Sequence, residues 1–308
     1  MYVLLAWLIA AAVGCGVIVL GGAARAQNPE AGNLSIELID PKVFRVCGDP
    51  RNMPFSTEDG SGYENKIAAL FAGKLGKNVA YAWYPGSPGF VRNTLGAYKC
   101  DVIMGVPQGF DLVQVTNPYY RTVYALVFKT GSGLDGVDNL GDERLKSKRI
   151  GIVARTPPSD NMVANGLMAK AKPYPLVIDT RIDSSAAAMM KDLADGEIDA
   201  GILFGPMAGY YAKQASAPTT VVPLTKEKGG PRLDFRTGMG VRFADQDWKR
   251  ILNRLIEENQ TDISRLLLSY GVPLLDDNGQ LVTEATLSKS WCCDFSSAFS
   301  RACWRPDG

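Results

Sequence analysis

Two stretches of the chain, offset by 98 residues, carry the same punctuation: Leu95-Gly-Ala-Tyr-Lys-Cys-Asp101-Val-Ile and Leu193-Ala-Asp-Gly-Glu-Ile-Asp199-Ala-Gly. In each copy Leu and Asp stand six apart, and each closes a run in which strand and helix patterns alternate. The first run reads as a strand over 43–47, then a helix whose Ile67, Leu70, Phe71 and Leu75 recur at helical spacing and stop at Gly76. A strand over 79–84, a helix over 90–97 and a strand over 101–105 complete it. The second run predicts a strand over 149–153, a helix over 160–171, a strand over 176–179, a helix over 185–194 and a strand over 199–204. Short apolar runs such as Val102-Ile-Met suit parallel strands covered on both faces. Two βαβαβ units imply two α/β lobes built alike.

Beyond residue 240, Trp248, Ile251, Leu252, Leu255 and Ile256 form an amphipathic helix pattern, followed by a second over 263–270 that ends at Gly271. Both need a host surface. Between the lobes, Gly131-Ser-Gly133-Leu-Asp-Gly136 formally matches GxGxxG after a strand over 124–129. A dinucleotide fingerprint requires an apolar helix to begin at once, whereas Val137-Asp-Asn-Leu-Gly-Asp-Glu-Arg is polar and broken, so the segment reads as a flexible crossing between lobes. A second crossing is expected at 233–240. Two crossings between α/β lobes describe a hinged clamshell, with its ligand site where the carboxyl ends of the strands face the cleft.

Composition removes several function classes. Thirty-three Lys plus Arg against 32 Asp plus Glu leave a net charge of +1, too small a field to hold nucleic acid. The absence of histidine excludes Ser-His-Asp and Cys-His nucleophiles, the HExxH zinc site and the CxxCH haem attachment. There is no P-loop motif. The apolar run from Tyr2 to Leu20, followed by Ala24-Arg-Ala26, reads as an export signal cut after Ala26, with an uncleaved anchor as the alternative. Export favours disulfides, and five cysteines remain after cleavage: Cys47, Cys100, Cys292, Cys293 and Cys303. Cys47 and Cys100 fall in one lobe, which favours a bridge, although the strand alignment sets them at different heights. Cys303 is expected to pair with Cys292 or Cys293, in an aromatic tail that packs on its own chain or meets a partner.

The first lobe resembles a known group. Phe44-Arg-Val-Cys-Gly-Asp49-Pro-x-Asn52-x-Pro54-Phe55-Ser56 and Gly62-Tyr-Glu64-Asn65 look like the opening of a type 2 periplasmic solute-binding protein. With Trp83-Tyr-Pro, Gly89-Phe-Val-Arg92-Asn93-Thr94-Leu, the Lys99 to Pro107 stretch and Pro118-Tyr-Tyr120-Arg121, the chain is similar to the MxaJ/XoxJ accessory proteins of PQQ-dependent methanol dehydrogenases. The resemblance covers about residues 43–275 as a fold. It implies a two-lobed clamshell of mostly parallel sheets flanked by helices. It also implies a periplasmic, non-catalytic factor acting beside a PQQ-dependent alcohol dehydrogenase and/or its cytochrome c. The alternative is the receptor of an ABC transporter.

The expected organisation is a signal at 1–26, a linker at 27–42, a first lobe from 43–130 with 236–289, a second lobe at 131–235 and a Cys-rich tail at 290–308. Where amino-acid receptors carry hydroxyl donors and an Arg clamp, this chain has Gly105-Val-Pro-Gln-Gly-Phe110, so any small ligand in the cleft is expected not to be a free amino acid. The candidate cleft residues are Asp49, Asn52, Phe55, Arg92, Tyr119, Tyr120, Arg155, Thr156 and Pro206. Most have a plainer reading: an Asx turn over Pro50, a helix cap or pairing for Arg92, core packing for the tyrosines, a helix entry shaped by Pro157-Pro158. Asp276-Asp277 reads as part of a turn, and Asp192 and Asp195 as a solvated helix face. No catalysis, cofactor or protein-held metal is expected.

Overall fold

The computed structural model describes residues 38–287, apart from 229. The export segment and the cysteines of the tail, Cys292, Cys293 and Cys303, lie outside the described residues. The first lobe is built from β1 (Val43–Gly48), the short β2 (Arg51–Asn52) and β3 (Ser56–Thr57), α1 (Tyr63–Lys74), β4 (Asn78–Trp83), α2 (Phe90–Asn93), β5 (Val102–Pro107) and β6 (Gln114–Val115). Next comes β7 (Tyr120–Lys129). The second lobe then contributes β8 (Ile150–Val153), α3 (Pro158–Ala164), β9 (Lys172–Tyr174), α4 (Ser185–Asp195), β10 (Ala200–Phe204), α5 (Gly205–Gln214) and β11 (Thr219–Pro223). The chain returns through β12 (Asp234–Val241), α6 (Gln246–Glu258) and α7 (Gln260–Ser269).

The sheet order β4-β1-β5-β12-β7-β10-β8-β9 shows how the repeat works. In the first lobe β4, β1 and β5 are parallel and β12 closes them antiparallel. In the second, β9, β8 and β10 are parallel and β7 closes them antiparallel. The echoed residues take equivalent places: Leu95 and Leu193 are buried, and the backbone N–H groups of Asp101 and Asp199 donate to the carbonyls of Arg45 and Arg149, at 2.9 and 2.8 Å. The copies diverge in charge pairing. Asp199 meets the half-exposed Arg149, while Asp101 is fully buried against Arg242, which also pairs with Asp245.

The first crossing differs from the expectation. β7 is one continuous strand whose Tyr120 to Val123 pair with β12 while Tyr124 to Val127 pair with β10, so the chain changes lobe inside the strand. Residues 131–136 lie past that point, in the second lobe, where Gly131, Gly133 and Gly136 all have positive φ and Leu134 is buried in the core. The glycines serve turns, not a hinge. A ten-residue apolar strand can span both lobes because each half finds its own cover. The hinge is clasped from outside by Arg121, which pairs with Asp234 at 2.7 Å and donates to the carbonyls of Asp276 and Asp277, at the turn closed by Gly279.

Local boundaries moved too. The strand expected over 176–179 is absent; the edge strand is Lys172–Tyr174, which tolerates Pro173, and Leu176 and Val177 stand exposed. The helix expected over 160–171 ends at Asn165 before Gly166, φ +70°, and resumes only as a turn of 3₁₀ helix at Met168–Lys170. The helix over 90–97 keeps only Phe90–Asn93. The late helices find their host on the first lobe, where Trp248, Leu252, Leu255 and Ile256 enter the core of Phe44, Val46, Ile67 and Phe71. Trp248 packs edge-on to Phe44 at 5.6 Å, and its indole N–H donates to the Asp101 carbonyl at 3.1 Å.

Candidate functional site: an aromatic cavity between the lobes

The carboxyl ends of β1 and β5, the start of α1 and the hinge strands enclose a cavity of about 530 Å³. Asp49, Asn52 and Phe55 reach it from the loop after β1, and Tyr120 from the start of β7. These are four of the residues expected in the cleft. The other five stand elsewhere, for local reasons. Tyr119 is fully buried in the first-lobe core, where its hydroxyl donates to the Met104 carbonyl at 2.8 Å. Arg92 is exposed on α2, whose Phe90 and Val91 face the cavity instead. Arg155 is exposed at positive φ, and the Thr156 hydroxyl folds back onto the Val153 carbonyl at 2.6 Å. Pro206 is buried in the first turn of α5, and Met207 takes the lining position.

Asp49 lines the cavity, but its carboxylate is already engaged. It accepts from the backbone N–H groups of Arg51 at 2.9 Å and Gly86 at 2.6 Å, and from the Thr180 hydroxyl at 2.8 and 3.0 Å. Thr180 belongs to the second lobe, and beside it the Arg51 guanidinium donates to the Arg181 carbonyl at 2.8 Å. A short segment of one jaw is thus bonded across the cleft to the other. The Asx-turn reading and the cleft reading of Asp49 hold together: the first N–H it binds is the turn, and the Thr180 hydroxyl is the closure.

Glu64 is the polar group that residue-by-residue reading passed over. It sits in the first turn of α1 with its carboxyl against Gly105; a Cβ on residue 105 would lie 2.2 Å from its Oε1. It has no hydrogen-bond partner for that carboxyl among the described residues. Among the described residues no Arg or Lys lines the cavity. Burial behind apolar walls pushes its pKa from 4.5 up to about 8, and the Asp49 charge adds to the rise. The group is therefore mostly protonated at neutral pH and offers an O–H. The signal that could have found it was already in view, since Glu64 belongs to the Gly62-Tyr-Glu64 motif.

The remaining walls are aromatic. Tyr124 of β7, Phe204 at the end of β10 and Phe235 of β12 meet in a triad with ring centroids 5.4 to 6.2 Å apart. Opposite them, Phe55 packs on Tyr63, whose hydroxyl lies 3.0 Å from that of Tyr120. Cys47 forms part of the lining and is bridged to Cys100 with the Cα atoms 5.4 Å apart. The bridge is reachable because the chain enters β5 pressed against β1, with Asp101 N–H on the Arg45 carbonyl. Among the described residues no group of three or more Cys, Asp or Glu side chains could hold a metal ion.

Comparison with known proteins places this arrangement. No family model matches the chain. Protein MoxJ of Methylorubrum extorquens is 30% identical over 271 residues, spanning 82% of this chain and 89% of that protein. The chain belongs to the MoxJ/XoxJ family. Periplasmic binding protein XoxJ from Methylobacterium extorquens AM1 is 42% identical in its crystal structure, with a TM-score of 0.66, covering 76% of this chain and all of that one. MxaJ from Methlophaga aminisulfidivorans shares the fold at 24% identity and a TM-score of 0.63, again over the whole of that chain and 75% of this one. The two-lobed binding-protein fold and the family expected from the first-lobe motifs agree with these relatives.

Proposed function

We propose that this chain is a periplasmic, non-catalytic accessory factor of a PQQ-dependent methanol or alcohol dehydrogenase, exported by its N-terminal segment and acting on the dehydrogenase or its cytochrome c. The observation that carries the reading is the 42% identity to XoxJ across the whole of that protein. The test is to purify the dehydrogenase from cells with and without this gene. A drop in specific activity, or in PQQ or metal content, that returns on complementation supports the proposal; identical preparations refute it.

A second reading, the solute receptor of a transporter, is favoured by one feature. The lobes are hydrogen-bonded to each other across a partly open cavity of a size that suits a small ligand. The two readings separate on whether a neighbouring permease needs this protein for uptake.

A further inference from the structure

We propose that the interlobe cavity binds an uncharged, mainly aromatic small molecule that presents one hydrogen-bond acceptor to the Glu64 carboxyl, and that it rejects carboxylate ligands. This inference rests on the cavity, not on the dehydrogenase reading. Its volume, about 530 Å³, lies within the range that holds a molecule of one to three rings. Both jaws offer aromatic surface, Phe55, Phe90 and Phe110 from the first and Phe204 from the second, with Tyr124 and Phe235 at the hinge. Rings of this kind bury large apolar area with defined geometry.

The charge of the guest follows from what the walls lack. An anion entering here would give up its hydration and meet neither Arg nor Lys, only two carboxyl groups. A cation fares little better. Asp49 is committed to Arg51, Gly86 and Thr180, so a cation would have to ionise Glu64 to gain a partner. What remains is the half-buried Glu64 carboxyl, seated where Gly105 lacks a Cβ. A ligand carbonyl, amide or ether oxygen accepts the hydrogen bond that its protonated form offers.

The groups that face Glu64 are Asp49 after β1, Tyr63 on its own helix, Tyr81 on β4, and Tyr119 and Tyr120 at the start of β7. None is basic, and each tyrosine is held above its ordinary range by burial, so between pH 6 and 9 it is Glu64 that changes state. Affinity for the neutral ligand therefore falls as the pH passes about 8.

The test uses three probes on one ring system: 2-naphthamide, 2-naphthoate and 2-naphthylmethylammonium, titrated calorimetrically into the purified exported chain near pH 6.5. The amide is expected to bind with a Kd of about 0.1 mM or tighter, and the acid and the amine at least about tenfold more weakly. At pH 9 the amide should lose about tenfold in the native protein but stay within about threefold in Glu64→Gln, which keeps a donor and does not titrate. Gly105→Ala, which pushes the carboxyl aside, should weaken the amide about tenfold while the circular dichroism spectrum stays native. Equal or tighter binding of the acid or the amine, no amide binding at its solubility limit, or the same pH dependence in Glu64→Gln would each overturn the proposal. None of these outcomes touches the dehydrogenase preparations, so the two readings fail separately.

Discussion

The Thr180 hydroxyl of the second lobe lies 2.8 and 3.0 Å from the two carboxylate oxygens of Asp49 in the first. Asp49 is 5% exposed, follows β1 directly and is held by the N–H groups of Arg51 and Gly86, so the acceptor is rigid and the donor comes to it. The lobes are otherwise joined through β7 and β12, which are paired strands, and where α5 packs on the end of α7, with Lys213 Nζ donating to the Ser269 carbonyl at 2.8 Å and Tyr210 stacked on Tyr270. The Asp49–Thr180 and Arg51–Arg181 bonds thus tie the lobes a second time, at the mouth of the cleft.

Replacing Thr180 by Val keeps the shape and removes the donor. A hydrogen bond to a charged acceptor contributes about 1.5 to 3 kcal/mol, so the closed-to-open ratio should fall by about tenfold or more. Small-angle scattering should show a larger radius of gyration for Thr180→Val, with an unchanged circular dichroism spectrum. Superimposable scattering curves would show that the contact does not hold the lobes together.

Glu64 makes stability depend on pH in a definite direction. Its folded-state pKa, about 8, is raised above the ordinary 4.5, so between these values the folded chain keeps a proton that the unfolded chain has lost. The contribution is complete below about pH 4.5, declines as pH rises and is gone once the folded-state pKa is passed. In Glu64→Gln the fall in melting temperature between pH 5 and 8.5 should be markedly shallower than in the native chain. Parallel curves would mean that Glu64 is already ionised at neutral pH.

The Cys47–Cys100 bridge closes a loop with a sequence separation of 53. Loop-closure entropy for that span is worth about 4 kcal/mol in the unfolded chain, before any native-state strain. The double variant Cys47→Ser/Cys100→Ser should therefore melt several degrees lower than the native protein, with the larger loss in the first lobe by hydrogen exchange. Peptide mapping of unreduced protein that finds both thiols free would remove the basis for this.

Trp248 joins the late helices to the first lobe, packing on Phe44 and bonding the Asp101 carbonyl. Trp248→Ala should cost about 3 to 5 kcal/mol, and Trp248→Phe appreciably less, because it refills most of the volume but leaves the carbonyl without its indole partner. Denaturant titration distinguishes the two; equal losses would assign the whole effect to the hydrogen bond.

By itself the sequence determined the duplicated α/β plan, the helices that pack against the first lobe and the family motifs around Asp49. All of these rest on local periodicity or on short contiguous words, Leu95 to Asp101 against Leu193 to Asp199 being the plainest. Only the tertiary structure decided where the chain changes lobe, because nothing local marks the midpoint of β7: Val123 and Tyr124 are ordinary strand residues that happen to face different partners. It also decided the state of Glu64. Glutamate in a first helical turn is usually a solvated, ionised group favoured by the helix N-terminus. Here Gly105 admits it to an apolar cavity, Asp49 stands near, and no cation arrives from either lobe. Desolvation is a property of everything around a group, and for Glu64 the surroundings are assembled from both lobes and the hinge.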